Sequence, residues 1–376
     1  MRLATATVLF AFFLSRPAIS PLAATRVVDP GGSGDFLTIQ SAVDASQAGD
    51  TILVRPGVYP EAIYLGPPHG GVVVKGDGLV ADIVVQGDAY VVVRIGDTVP
   101  AARIEGLTLS GSGLFGALWI QGARAEIVDC VIRKNEGAGS CSGVGGAGRI
   151  ASSSDVLVEG CLIEDNQSWE SPGGLIVWQA RADIRDNVFR NNRACYGGGI
   201  EMYHCEGYGE SVIEENLFVR NQADAWGGGV FNVDSSPVIR KNTFVDNGDS
   251  LKAAIWVLGG RPRIESNLLV GSHWAVYCHA ELGYPASLPD IRENLCWGIT
   301  GGALSNCAAT AGLRAANPLF CDAPGDDFHL CADSPAVVNG VVVFGAFGVG
   351  CPDCRLNPTR QSGWGELKAL YRDGKR

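Results

Sequence analysis

The sequence predicts an all-β solenoid, a chain wound into stacked coils of short parallel strands. Three observations predict it: a motif that returns once per coil, glycine clusters that return with it, and a different kind of sequence at each end. The motif is an aliphatic residue, two polar residues, an asparagine, one residue and a bulky apolar residue. Its asparagines are Asn187, Asn216, Asn242, Asn267 and Asn294. Degenerate copies with Leu107, Cys130 and Cys161 at the asparagine position extend the pattern to about ten coils.

Each coil is predicted to contain three short strands. The first follows a glycine cluster, as in Gly197-Gly-Gly-Ile200 and Gly227-Gly-Gly-Val230. The second begins near the aliphatic residue of the motif and turns at the asparagine, and the third carries the bulky residue. Because coils stack about 4.8 Å apart, equivalent asparagines form ladders that hydrogen-bond to one another and to the turn backbone. We therefore interpret the asparagines as structural.

The two ends differ from the repeats. Residues 1–24 have Arg2, an apolar run and then small residues, which is typical of a secretory signal peptide. That run is too short to cross a bilayer, so no transmembrane span is expected. Ile39, Ala42 and Val43 have helical spacing and predict a helix that caps the N-terminal end of the solenoid. We assign residues 25–345 to the solenoid and 346–376 to a cysteine-containing C-terminal tail.

Charge and cysteine content limit the partners and the compartment. The formal net charge of −11 argues against a nucleic-acid partner, because phosphate binding needs a basic face. There are 12 cysteines, and export would allow them to pair, so we predict disulfides at the crowded C-terminal end. Zinc is the alternative for Cys351-Pro-Asp-Cys354, but no second ligand pair at zinc spacing is evident in the sequence. No metal and no cofactor are predicted.

Several elements resemble known families. The block from Phe36 to Ala45, with Gly49-Asp-Thr-Ile52 and Pro56-Gly-Val-Tyr59, resembles the start of pectin methylesterases. The Gly-Gly-Gly-Ile/Val and Phe-x-x-Asn elements are similar to repeats of polymorphic outer-membrane proteins. The chain thus resembles the pectin-lyase-like superfamily, which implies an exported, single-stranded right-handed parallel β-helix. The sequence has no Gly-His-Gly element of polygalacturonases and no Asp-Phe-Ile-Phe-Gly element of methylesterases, so no catalytic residue is carried over.

One outward column is charged. One residue after the aliphatic position of the motif, the sign alternates from coil to coil through Glu159, Arg185, Glu214, Arg240, Glu265 and Arg292. Stacked neighbours of opposite charge predict cross-strand ion pairs. A calcium site needs several carboxylates that converge on one cation, so this column argues against one.

The first strand of each coil carries the candidate binding site. Alternation along the strand places Trp119, Ile176, Glu201, Phe231, Trp256 and Tyr277 outward, and two residues further on Gln121, Trp178, Tyr203, Val233, Leu258 and His279. Sugar rings stack on aromatic side chains, so we predict a polysaccharide-binding strip. Its predicted contacts are Trp119, Trp178, Glu201, Tyr203, Phe231, Trp256 and Tyr277. The alternative is that a loop, the C-terminal tail or a second subunit covers the strip.

Three functions fit these features. The favoured hypothesis is a secreted or cell-surface protein that binds a polysaccharide or another surface ligand. The second is a polysaccharide lyase or glycoside hydrolase with an unrecognised site, for which Glu201, His204, Asp224 and Asp234 are the candidate acid–base residues. The third is a structural surface protein whose strip is an assembly interface. Surface attachment and self-assembly are both left open.

Overall fold

The computed structural model describes residues 23–351, apart from 88–89, 97, 138–144, 170, 249–251, 281–282 and 308–311. Most of the predicted signal peptide (residues 1–24) and most of the predicted tail, with Cys354, lie outside the described residues. The described chain is a stack of coils whose strands form three long parallel sheets. No helix among the described residues is long and apolar enough to cross a membrane.

Each coil contributes one strand to each long sheet. Sheet I comprises Thr25–Val28, Thr51–Val54, Val73–Gly76, Ala102–Glu105, Arg124–Val128, Asp155–Glu159, Arg181–Arg185, Val212–Glu214, Val238–Arg240, Arg263–Glu265 and Asp290–Arg292. Sheet II comprises Gly57–Tyr59, Ile83–Gln86, Thr108–Ser110, Val131–Arg133, Leu162–Glu164, Val188–Arg190, Leu217–Val219, Thr243–Val245, Leu268–Val270, Leu295–Trp297 and Arg314–Ala315. Sheet III comprises Ile63–Leu65, Val93–Gly96, Leu118–Gln121, Gly148–Ala151, Leu175–Trp178, Ile200–Tyr203, Val230–Val233, Ala253–Leu258, Trp274–His279 and Gly302–Ser305.

The chain passes from sheet III to sheet I to sheet II and then returns. This is the predicted coil, with the glycine-cluster strand in sheet III, the aliphatic residue in sheet I and the bulky residue in sheet II. Four coils add a further strand between sheets II and III, which together form sheet IV: Glu136–Gly137, Gln167–Ser168, Arg193–Tyr196 and Gln222–Trp226. The repeat pattern of the sequence does not predict sheet IV.

The predicted capping helix spans Ile39–Asp44. Ile39, Ala42 and Val43 are buried against the first coil. At the start of the helix, the Glu61 carboxylate accepts hydrogen bonds from the backbone N–H groups of Ile39 and Gln40, both at 2.8 Å. A carboxylate at this end satisfies N–H groups that have no partner within the helix. The helix therefore closes the N-terminal end of the core, as a solenoid requires.

Two asparagine ladders line the turns. The motif asparagines are fully buried, and from Asn216 to Asn294 each Oδ1 accepts from the backbone N–H and the Nδ2 of the preceding asparagine; Asn187 and Asn216 are joined by two such bonds of 3.0 Å. A second buried ladder runs through Asn135, Asn166, Asn192, Asn221 and Asn247. The ladders give buried backbone groups the partners that they need, so the structural interpretation is confirmed.

The charged column on sheet I has the predicted register, but only part of the predicted pairing. Glu214 pairs with Arg240 of the next coil at 2.6 Å. Arg185 and Arg292 instead pair with aspartates two residues earlier on their own strands, Asp183 and Asp290. The sequence pattern identified the column but not these aspartates, which compete for the same guanidinium groups.

The C-terminal segment folds back onto the outer face of sheet II. Its strands are Phe320–Asp322, Asp327–Cys331, Val337–Val338, Val341–Val342 and Val349–Cys351, with a 3-10 turn at Ala323–Gly325; two more such turns, Pro67–His69 and Val80–Asp82, lie in early coils. Phe328 and Phe347 pack on the apolar outward column of sheet II. Arg220 donates to both carboxylate oxygens of Asp326, at 2.7 and 2.6 Å. The last part of the chain is thus held along the stack.

Disulfides hold this end, as predicted. Cys278 is bonded to Cys307, and Cys321 to Cys351. The Sγ atoms of Cys321, Cys331 and Cys351 lie within 4.8 Å of one another, but the Cys321–Cys351 bond favours disulfides over zinc at this place. Cys296 does not take part: it is a buried free thiol inside the coil.

Candidate functional site

The outward face of sheet III forms two aligned columns, which together we call the strip. Strand register places Tyr64, Arg94, Trp119, Arg149, Ile176, Glu201, Phe231, Trp256, Tyr277 and Ser305 in the first column. The second column contains Gln121, Ala151, Trp178, Tyr203, Val233, Leu258 and His279. All the residues predicted to face outward therefore lie in the two columns, but their surroundings differ along the stack.

The C-terminal half of the strip is covered. Phe231 and Trp256 are only 3% and 8% exposed, because Tyr196 and Trp226 of sheet IV pack over them. The ring centroids of Trp226 and Phe231 lie 5.4 Å apart, and those of Trp226 and Trp256 lie 6.0 Å apart. Tyr277 stacks on Trp256 at 4.0 Å. Phe231 and Trp256, which were predicted as ligand contacts, therefore offer no open surface. The alternative, cover by a loop, holds for this half, since sheet IV converts it into a second apolar core.

The N-terminal half is open. Tyr64 and Tyr90 are 42% and 54% exposed, and Phe115 and Arg94 are exposed beside them. With Val91, the half-buried Trp119 and Gln121, they line a cleft of ≈ 280 Å³. The ring centroids of Phe115 and Trp119 are 4.9 Å apart, edge to face, and Tyr90 stacks on Phe115 at 6.3 Å. The cleft thus presents several aromatic rings together with a guanidinium group.

Arg149 continues this surface between two tryptophans. Its guanidinium carbon lies 5.2 Å from the ring centroid of Trp119 and 4.6 Å from that of Trp178. Half-burial lowers the pKa of Arg149 from its ordinary 12.5. Its guanidinium nevertheless stays charged, as arginines do in proteins. The ring of Trp178 in turn lies 4.9 Å from that of Tyr203. A continuous row of aromatic, cationic and aromatic groups therefore runs across three neighbouring coils and ends at Tyr203 in the fourth.

Glu201 marks the point at which the strip becomes covered. It is 6% exposed, between Ile176 and Phe231 in its column. Among the described residues nothing hydrogen-bonds or ion-pairs with its carboxyl, and burial alone raises its pKa from 4.5 to about 8. Burial and a hydrogen bond between the hydroxyls of Tyr203 and Tyr284 raise the pKa of Tyr203 to about 12. At neutral pH both Glu201 and Tyr203 are therefore uncharged.

The predicted acid–base cluster does not assemble. His204 Nδ1 lies 3.1 Å from Asp234 Oδ2, at equivalent turns of neighbouring coils. Asp224 instead lies on sheet IV, exposed and paired with Arg193 at 3.3 Å. Glu201 contacts neither carboxylate in any hydrogen bond. The structure thus supplies one His–Asp pair and one isolated acid, without the pair of cooperating carboxyl groups that glycoside hydrolysis requires.

Part of the open half is not marked by the glycine clusters that predict the other strands of sheet III. The coil of Val93–Gly96 has no such cluster, so Arg94 was not predicted. Arg149 was not predicted either, although a glycine-rich run from Gly145 to Gly148 precedes it. The spacing of the asparagine motif, followed towards both ends of the chain, would have located the sheet III strands that carry both arginines. Tyr90 and Phe115 lie in loops, for which the repeat gives no position.

The right handed beta helix region family model matches residues 70–244 of this chain. The match gives the coils their hand, and the predicted right-handed parallel β-helix is confirmed. A search of curated protein sequences gave no match.

Solved structures with similar architecture include pectin methylesterase from carrot, at 15% identity and a TM-score of 0.40, covering 80% of this chain and 90% of that one. Alginate lyase from Paenibacillus sp. str. FPU-7 has 11% identity and a TM-score of 0.46, covering 78% of this chain and 98% of that one. The catalytic unit of an α-1,3-glucanase from Streptomyces thermodiastaticus strain HF3-3 has 17% identity and a TM-score of 0.32, covering 80% of this chain and 68% of that one.

Proposed function

We propose that this chain, a right-handed parallel β-helix, binds an acidic polysaccharide along the open half of its strip. The observation that carries the proposal is the row formed by Trp119, Arg149 and Trp178, next to the aromatic cleft that contains Arg94. Aromatic faces accept the apolar faces of sugar rings, while a guanidinium binds a carboxylate or sulfate through paired hydrogen bonds. The row runs along the stack, so an extended polymer would lie across successive strands.

The charge of the strip favours an acidic ligand over a neutral one. The chain as a whole has a formal net charge of −11, so an anionic polymer is repelled by most of its surface. Arg94 and Arg149 place positive charge within the open half, beside the aromatic rings that would hold the sugars. Binding should therefore weaken as salt is raised, because exposed charges are screened.

The test compares tryptophans inside and outside the row. We expect Trp178→Ala to weaken binding of an acidic polysaccharide about tenfold, since it removes a stacking face and one side of the cation–π contact. Calorimetric titration with a uronic-acid oligosaccharide and a neutral one of equal length measures the effect. Trp297→Ala is the matched control, because Trp297 is exposed at the end of a sheet II strand.

Two outcomes would contradict the proposal. Equal losses for Trp178→Ala and Trp297→Ala would show that the row has no special role. Equal affinity of the wild-type protein for the neutral and acidic oligosaccharides would exclude the charge recognition by Arg94 and Arg149.

We further propose that the protein works outside the cytoplasm, secreted or at the cell surface. Two disulfides support this, because disulfides form and persist in oxidising compartments. The apolar run near the N-terminus supports export as well. Thiol counting on protein purified from the exported fraction tests it: Cys278, Cys307, Cys321 and Cys351 should not react with a thiol reagent unless a reductant is added.

Cleavage of the bound polymer is the second candidate function. Glu201 favours it, because an isolated buried carboxyl that remains protonated at neutral pH is suited to act as a general acid. Product analysis after incubation with each bound polysaccharide decides between the two functions. Shortened or unsaturated chains would establish cleavage, and an unchanged length distribution would leave binding alone.

A further inference from the structure

Glu201 occupies the far end of the proposed binding row. It lies on the same strand as Tyr203, two residues apart and on the same outward face. The ring of Tyr203 in turn contacts that of Trp178. A polymer on Trp119, Arg149 and Trp178 would reach the edge of the cover beside Glu201. The protonation state of this carboxyl therefore affects the last aromatic contacts of the row, those of Trp178 and Tyr203.

The residues directly beside Glu201 in its column are apolar. Its neighbours in the column are Ile176 and Phe231. The loop that leads from sheet IV to this strand also packs closely against Glu201, since a Cβ placed on Gly197 would lie 3.3 Å from the Glu201 Cβ.

The titratable and charged groups on the elements packed around it are those of Cys195, Tyr196, Tyr203, His204 with Asp234, Tyr284, and Arg193 with Asp224. Arg193 is exposed and pairs with Asp224 at 3.3 Å. The nearest cation of the strip, Arg149, lies two strands away in the same column. Nothing in this environment would stabilise a carboxylate.

We propose that Glu201 makes binding on the strip conditional on its own protonation, and that its ionisation releases an acidic ligand. This inference rests on the proposed function. A carboxylate in this buried place would need water to solvate it, at the edge of the packed cover. It would also set a negative charge at the end of a path along which the ligand carries negative charges. Both effects act against the bound state.

The direction of the pH effect follows from the buried acid. Because the pKa of Glu201 is raised to about 8, the binding-competent neutral form is the major form at pH 7 and a minor one at pH 9. When only the neutral form binds, the apparent affinity scales with its fraction and falls about tenfold between pH 7 and pH 9. Glutamine has the same shape and cannot ionise, so Glu201→Gln should bind with an affinity that is independent of pH over this range.

The experiment is a titration of wild type, Glu201→Gln and Glu214→Gln with an acidic oligosaccharide at pH 6, 7, 8 and 9, at constant ionic strength. Glu214 is the matched control, since it lies on sheet I and pairs with Arg240. We expect wild type and Glu214→Gln to lose about tenfold in affinity above pH 7, and Glu201→Gln to lose none. His204, His279 and the tyrosines are present in all three proteins, so the difference between the curves isolates Glu201.

The inference is overturned when Glu201→Gln follows the wild-type pH curve, or when the wild-type affinity is constant from pH 6 to 9. Both results would leave the proposed function standing. A protein that binds no acidic oligosaccharide at any pH would overturn the proposed function and this inference together.

Discussion

Asn242 shows how much one residue contributes to the stack. Its Nδ2 donates to the Ile213 carbonyl at 2.8 Å and to Asn267 Oδ1 at 3.0 Å. Its Oδ1 accepts from the backbone N–H and the Nδ2 of Asn216, both at 3.0 Å. All of these groups are buried, so each would lose its partner in an environment without water. The motif revealed this role from the sequence because the asparagine recurs at a fixed place in five successive coils.

We predict that Asn242→Ala lowers the free energy of unfolding by about 3 kcal/mol or more, since it leaves several buried backbone and side-chain groups unsatisfied. Urea denaturation followed by circular dichroism measures the change. Asn191→Ala is the control, because Asn191 is an exposed turn residue next to the second ladder. A loss for Asn242→Ala no larger than that for Asn191→Ala would contradict the ladder's role.

Glu201 also makes a prediction about stability. Its pKa is near 4.5 in an unfolded chain and about 8 in the folded protein, so the folded state holds the proton more tightly. Its contribution to the free energy of unfolding is therefore fully present below pH 4.5 and is lost as the pH rises towards 8, at about 1.4 kcal/mol per pH unit. Glu201→Gln should remove this slope.

Urea denaturation of wild type and Glu201→Gln at pH 5, 6.5 and 8 checks the prediction. The free energy of unfolding of Glu201→Gln should increase relative to that of the wild type as the pH rises. A difference that is constant across the three values would show that Glu201 has an ordinary pKa in the folded protein.

Among the elements, sheet IV changes the site most. Its strands have as few as two residues and form only because neighbouring coils place their loops side by side. So short a strand has no recognisable period in the sequence, which is why cover of the strip could be stated only as an alternative and sheet IV could not be identified as its source. The strip itself was predicted, because strand alternation decides which side chains point outward. What covers an outward side chain depends on loops that the repeat does not describe.

The Cys321–Cys351 disulfide stabilises the C-terminal segment. The Cys321–Cys351 bond closes a segment with a sequence separation of 30 residues. We predict that Cys321→Ser with Cys351→Ser lowers the free energy of unfolding by about 2 to 4 kcal/mol, because the unfolded chain is less constrained without the bond. Limited proteolysis should then cut residues 317–351 first.

Mass spectrometry of the fragments identifies the cleavage sites. The double variant of Cys278 and Cys307 is the control: it should leave the C-terminal segment as resistant as in the wild type. Cleavage that begins inside the coils in both double variants would contradict an independent role for the segment.

At the scale of the whole molecule, the stack gives the strip its length and its straight course. A turn-by-turn repeat fixes equivalent residues in columns, so the sequence was enough to predict the three sheets, the ladders and the capping helix. The position of a guanidinium between two indoles was not predictable, because it depends on side-chain directions in three successive coils. The covered half, the open half and the acid between them are likewise properties of packing.

The most direct test of the account is a titration of Arg149→Met with a uronic-acid oligosaccharide at low and high salt. Arg240→Met is the control, as Arg240 belongs to the charged column of sheet I. We predict that Arg149→Met lowers the affinity about tenfold and reduces its salt dependence, while the affinity of Arg240→Met stays as in the wild type. An affinity of Arg149→Met equal to that of the wild type would contradict an acidic polysaccharide bound along this strip.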